Sequence, residues 1–157
     1  ERFPNLVVIK RIGKSYGVGG LRLGVLASSN IDLVKQIKSN VPIWNINSVA
    51  EFYLQIIGKY TAQYQESCEK LIQARNALLR DMREISYLEP YESQANYILC
   101  KVLDKNALQL ATDLCNKYFI LIKDCSGKAS IEGQYIRVAV RDTRDNEVLV
   151  NGLKALA

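Results

Sequence analysis

The sequence contains no histidine. This removes serine–histidine and cysteine–histidine catalysis and the commonest zinc ligand. Its four cysteines, Cys68, Cys100, Cys115 and Cys125, show no CxxC spacing. Three of them lie in apolar or amphipathic runs, which reads as buried, reduced thiols in a cytoplasmic protein and not as a metal site. No run of about 18 apolar residues is present, so no membrane span is expected. The amino terminus lacks the basic, then apolar, then small pattern of a secretory signal. It also lacks an initiator methionine and starts almost directly on an apolar run, which reads as a piece of a longer chain. Lysine and arginine exceed the acids by 21 to 16, a net charge of +5. These cations are scattered, with no basic run and no basic–aromatic interleaving, so they read as solvated surface and no nucleic-acid partner is expected.

What is present is an ordinary globular composition, with 48% hydrophobic and 24% charged residues among 157. That length can bury a core in one or two domains. Residues 6–9 read as a short buried strand, 11–20 as a loop and 21–27 as a second strand. Ser29 and Asn30 precede a short helix with Ile31, Val34 and Ile37 on one face. Val41-Pro42 breaks it. Asn47-Ser48 caps a new helical region, with Glu51 placed for a capping box. From Val49 to Ile85 apolar residues recur at helical spacing, broken near Gly58, and predict an amphipathic spine. Beyond it, 87–91 and 96–103 read as strands, and a helix over 108–118 follows the Asp104 cap. Residues 118–123 and 134–140 read as further strands, separated by a polar loop over 124–133. A last helix, capped by Asp142 or Thr143, turns Val148, Leu149, Leu153 and Leu156 inward. Strands followed by helices on one sheet face make a small α+β layer.

Three places could carry chemistry. Lys14 lies among Gly13, Gly17, Gly19 and Gly20, just after the first apolar run, with Arg22 eight positions on. Glycines permit close backbone approach, and a guanidinium is a bidentate partner for phosphate. A lysine that forms a Schiff base with a carbonyl cofactor needs such a phosphate anchor and partial desolvation of its amine. Arg137 interrupts the apolar strand YIRVAV, where alternation puts it opposite Ile136 and Val138. It is either a solvent-facing residue or a receiver for a substrate carboxylate. Asn96, in Ser93-Gln94-Ala95-Asn96-Tyr97, is either a strand-edge residue or an amide turned toward a ligand.

The stretch from Gly13 to Gly24, GKSYGVGGLRLG, resembles the SK-aromatic-G-x-x-G-x-R-x-G signature of fold-type I pyridoxal-phosphate enzymes, in particular class I/II aminotransferases of the histidinol-phosphate aminotransferase type. Later segments follow in the family's order: Pro42-Ile43-Trp44-Asn45-Ile46-Asn47-Ser48 is similar to PYNVNS, Ser93 to Tyr97 to S-x-A-N-F, and Ile136 to Val140 to L-R-I-T-V. The resemblance implies an α/β, aspartate-aminotransferase-like fold in three parts. Residues 1–46 would be the end of the large cofactor-binding domain, 47–85 the connecting helical spine, and 86–157 the small C-terminal α+β domain. It implies pyridoxal 5'-phosphate as cofactor, amino-acid and keto-acid substrates, and a homodimer. By position, Lys14 would bind the cofactor covalently and carry the proton, Arg22 would hold its phosphate, Arg137 would take the substrate carboxylate, and Asn96 would lie near the site mouth.

The chain also departs from that pattern. The family has serine before the lysine, where this chain has Gly13. It has serine or threonine three positions before the lysine, where this chain has Arg11, placed to compensate in phosphate binding. The family's G-T-R-E reads Arg141-Asp142-Thr143-Arg144 here. The family's aspartate for the pyridine nitrogen, its ring-stacking aromatic and its phosphate-binding glycine loop all lie upstream of the lysine. They have no counterpart in this chain, so little or no transamination is expected of these 157 residues alone. Two other readings follow: a pyridoxal-phosphate decarboxylase of a phosphorylated amino acid such as threonine phosphate, and a non-catalytic assembly module.

Overall fold

The computed structural model describes residues 3–128 and 132–157. The chain divides into two compact units, residues 1–65 and 66–157. No helix among the described residues is long and apolar enough to cross a membrane.

The first unit opens with an antiparallel ribbon of β1 (Val7–Lys10) and β2 (Val25–Ser28), in register Val7 with Ser28 and Lys10 with Val25. The β-branched run makes the strand, but it is not the buried strand that its composition suggests: all four residues of β1 are exposed. A ribbon of two strands has no second layer of its own to cover either face. The expected loop over 11–20 is also partly helical, with one turn, α1 (Ile12–Ser15), and a 3₁₀ turn at Gly19–Leu21. That turn shortens the second strand from the expected 21–27, and Arg22 ends it in a left-handed conformation, φ 54°.

Helix α2 (Ile31–Ser39) is capped by Asn30, whose side chain accepts from the Leu33 N–H at 3.0 Å. Helix α3 (Ser48–Ile56) is capped by Asn47 and not through a Ser48–Glu51 box. The Asn47 amide oxygen reaches the Ala50 N–H at 2.9 Å, while its nitrogen donates to the Leu21 carbonyl at 3.1 Å. One side chain thus caps the helix and ties it to the turn before Arg22. A 3₁₀ turn (Ile57–Tyr60) containing Gly58 breaks the spine where expected, before α4 (Thr61–Arg83). The apolar stripe is a packing stripe only at its end. Leu78, Met82 and Ile85 are buried, whereas Val49, Phe52 and Tyr60 are exposed, as are Ile43 and Trp44.

The second unit is an antiparallel sheet in the order β3 (Leu88–Pro90), β4 (Tyr97–Val102), β6 (Tyr135–Ala139) and β5 (Lys123–Asp124). Helices α5 (Ala107–Tyr118) and α6 (Thr143–Ala155) and the second half of α4 supply its apolar cover. The core joins Leu78 and Met82 of α4, Leu110 and Leu114 of α5 and Leu149 and Leu153 of α6 to Ile98, Cys100, Ile136 and Val138 of the strands. In β4 and β6 buried residues alternate with open ones, so one sheet face is packed and the other is not.

Three local expectations change here. Asn106 caps α5 in place of Asp104, its side chain accepting from Gln109 N–H. The strand expected over 118–123 shrinks to Lys123–Asp124. Helix α5 runs on to Tyr118, and Phe119 then turns the chain in a left-handed conformation, φ 58°. On α6 Val148 faces out and Val150 packs inward, because the buried arc follows Asn146, Leu149, Val150 and Leu153. Of the cysteines, Cys100 and Cys125 are buried, Cys68 is partly so, and Cys115 is exposed. Residues 129–131 of the loop expected over 124–133 lie outside the described residues.

Candidate active site

Lys14 sits on the one-turn helix α1, which follows β1 and meets Tyr64 in the first turn of α4. The Gly13 N–H donates to the Leu23 carbonyl at 3.3 Å, which ties the turn to the residue after Arg22. Tyr16 stacks on Tyr64, with ring centroids 4.2 Å apart, and meets Tyr53 edge-on at 6.5 Å. The Tyr64 hydroxyl donates to the Ser15 carbonyl at 3.1 Å. A stack of this kind contributes about 0.5–1.5 kcal/mol beyond area burial. The lysine turn therefore has an aromatic clamp. Burial and the neighbouring Tyr16 raise the Tyr53 phenol above its usual pKa.

Arg11, Lys14 and Arg22 line one cavity of about 180 Å³, together with Gly13, Gly19, Leu23 and Gly24. No carboxylate lines it, and none of these three cations enters an ion pair among the described residues. The cavity is smaller than the roughly 300–1,000 Å³ of pockets that take a whole small molecule. Its donor set suits the phosphate end of a ligand, with an amine at hand. Lys14 itself is exposed, so the described residues do not supply the desolvation that a neutral amine requires.

Arg137 and Asn96 belong to the second unit. Arg137 stands on the open face of β6, opposite Leu99 in register, and its guanidinium lies 5.1 Å from the centroid of the Tyr97 ring. The expected alternation holds: Ile136 and Val138 are buried and Arg137 is exposed. Asn96 is exposed immediately before β4, where its carbonyl accepts from the Val140 N–H at 2.9 Å. Arg75 fixes this corner. Only 7% exposed, it donates from Nη1 to the Ala95 carbonyl at 3.3 Å, and its Nε has no partner among the described residues.

The structure thus brings Lys14 and Arg22 to one cavity, and puts Arg137 on β6 and Asn96 just before its neighbouring strand β4. Sequence reasoning missed the clamp of Tyr53 and Tyr64 and the corner residue Arg75. Tyr64 falls within the helical apolar spacing of the spine and is not set apart by it, and nothing in the local pattern separates Arg75 from the exposed cations of α4.

The model of the family described as aminotransferase class I and II matches residues 1–153. The chain is 33% identical over 152 residues to a CMP-5'-(3-aminopropyl)phosphonate synthase from Streptomyces rubellomurinus, covering 96% of this chain and 24% of that protein. It is 26% identical to an L-serine phosphate decarboxylase from Campylobacter jejuni, covering 98% of this chain and 40% of that one. The crystal structure of the histidinol-phosphate aminotransferase from Clostridium acetobutylicum superimposes with a TM-score of 0.92 at 24% identity, over 99% of this chain and 46% of that chain. The chain therefore spans less than half the length of these relatives. Because the family model runs through the lysine turn, the spine and the C-terminal sheet without interruption, the chain belongs to the class I and II aminotransferases, a pyridoxal-phosphate-dependent family with the fold-type I architecture.

Proposed function

We propose that this chain is the part of a pyridoxal-phosphate-dependent aminotransferase that carries the cofactor lysine, the phosphate anchor and the carboxylate anchor. The whole enzyme would move an amino group between an amino acid and a keto acid or a phosphorylated ketone. The observation that carries this reading is the convergence of Lys14 and Arg22 on one cationic cavity without a carboxylate. The cofactor, when bound, supplies the electron sink that lets a bond to the substrate Cα be broken.

The chain's residues then have separate tasks. Arg22 receives phosphate through its fixed fork of N–H donors, from a left-handed backbone position that closes the 3₁₀ turn at Gly19–Leu21. Lys14 places an amine beside the phosphate site, where it can hold the cofactor and carry a proton. The stacked Tyr16 and Tyr64 keep the turn from swinging away. Arg137 receives the substrate carboxylate, with the Tyr97 ring steadying its guanidinium. Asn96 lines the approach. In this reading residues 1–46 end the large domain, 47–85 form the spine and 86–157 the small domain, within a cytoplasmic homodimer.

The absorption spectrum of the chain mixed with pyridoxal phosphate tests the lysine's role. A new band that borohydride removes, and that Lys14→Ala lacks, is the expected result. Equal labelling of wild type and variant would refute it. The similarity to an L-serine phosphate decarboxylase favours a second reading, decarboxylation of a phosphorylated amino acid. Release of CO₂ from a labelled substrate carboxylate by the whole enzyme would select it, and retention of the label would select transamination.

A further inference from the structure

Two neutral hydroxyl donors expected beside the cofactor lysine are missing from this chain, and the structure gives a physical reason for one of them. Gly13 is buried. A Cβ added there would lie 3.1 Å from the Val18 carbonyl oxygen and 3.2 Å from the Gly19 Cα, both backbone atoms. The turn after the lysine thus closes directly over position 13. A serine hydroxyl cannot stand there unless that backbone moves. The other position is occupied by Arg11, which lines the same cavity as Arg22 and Lys14.

The Arg11 side chain has no partner among the described residues to explain it. It makes no ion pair, and no side-chain hydrogen bond from it is seen among the described residues. Its backbone carbonyl accepts from Lys14 and Ser15, so its main chain is part of the lysine turn. Three cations facing one small cavity repel one another, and an anion between them removes that repulsion. The geometry points to Arg11 as the second guanidinium of a two-arginine phosphate clamp, paired with Arg22. This inference rests on the reading of Arg22 as the phosphate anchor and goes beyond it by naming a residue of this chain that replaces the usual hydroxyls.

The chemistry of such a clamp differs from that of hydroxyl donors. Two planar forks can each take two phosphate oxygens, and each bond is charge-assisted. Affinity then depends on the charge of the phosphate more steeply than with neutral donors. It strengthens as a phosphate monoester takes its second negative charge, near pH ~6. It also weakens with added salt, because both arginines are exposed and screening reaches them.

Calorimetric titration of the full chain with inorganic phosphate tests the clamp. Arg11→Ser, which restores a hydroxyl, is expected to weaken binding about tenfold or more, as loss of a charge-assisted pair does. Arg22→Leu is expected to do the same, and Arg11→Lys, which keeps the charge but loses the fork, to fall between. Wild-type affinity in Arg11→Ser, or no phosphate binding by the wild type, overturns the proposal. Because Arg11 is exposed, its replacement leaves the fold intact, and Arg11→Lys guards against a variant that fails for other reasons. Reduction of the chain with pyridoxal, which has no phosphate, separates this idea from the proposed function. Labelling of Lys14 with phosphate affinity unchanged in Arg11→Ser sinks the clamp alone. Loss of phosphate affinity in Arg11→Ser with no labelling of Lys14 leaves the clamp standing and sinks the catalytic role.

Discussion

A single side chain can be read from the sequence when its neighbours fix its direction. Arg137 is such a case: two buried neighbours in an alternating strand leave only the open face for it. Lys14 and Arg22 could be placed near each other by spacing and resemblance, but the exposure of the lysine and the left-handed Arg22 could not. Both depend on how two short turns fold onto the ribbon. Tyr87 shows what burial adds. Its hydroxyl donates to the Leu153 carbonyl at 2.6 Å, and burial, then Cys100, push its pKa from 10.0 up to about 12. Burial likewise pushes the Cys100 thiol up to about 12. Both groups stay protonated in the folded chain at a pH where the unfolded chain releases their protons. Stability is therefore complete below the unfolded pKa values and falls as pH rises from about 9 toward about 12. Denaturant titrations across that range are expected to show the loss, and Tyr87→Phe to flatten it between pH 10 and 12. The same variant costs about 1 kcal/mol at neutral pH through the lost hydrogen bond.

Elements were legible where periodicity ran long enough. The spine, its break at Gly58 and the helix–sheet order of the second unit all follow from spacing alone. Caps and short strands were less so, because neighbouring polar residues compete for one backbone N–H and the local sequence does not show which is in reach. Asn47 prevailed over Ser48, and Asn106 over Asp104. The strand expected over 118–123 failed for a similar reason. Its β-branched composition suits a strand, but α5 consumed its first residue and Phe119 redirected the rest. Asn47 has a second task beyond its cap, so Asn47→Ala is expected to cost about 1–2 kcal/mol, at the upper end for a cap. It should also free the Leu21 carbonyl and loosen the turn before Arg22. Amide exchange at Leu21 and Arg22 that rises with that at Ala50 is the signature; a change at Ala50 alone would show that the two tasks are independent.

At the scale of the molecule the two units are unequal. The second has a continuous core under one sheet face. The first leaves Val7, Ile9, Ile43, Val49 and Phe52 in contact with solvent. Hydropathy alone could not show this, because an apolar strand reads as buried whether or not a covering layer lies within the same chain. Hydrogen exchange is expected to follow the difference, slow at Ile98, Cys100, Ile136 and Val138 and fast along β1 and β2. Equal protection in the two units would contradict it. The one tryptophan of the chain makes this imbalance visible by light. Trp44 is 91% exposed, so all indole emission comes from one ring in water, on the segment between α2 and α3. Any surface that comes to cover that segment will move the emission to shorter wavelength. The chain thus carries its own optical gauge of whether the first unit has been covered, needing neither label nor assay.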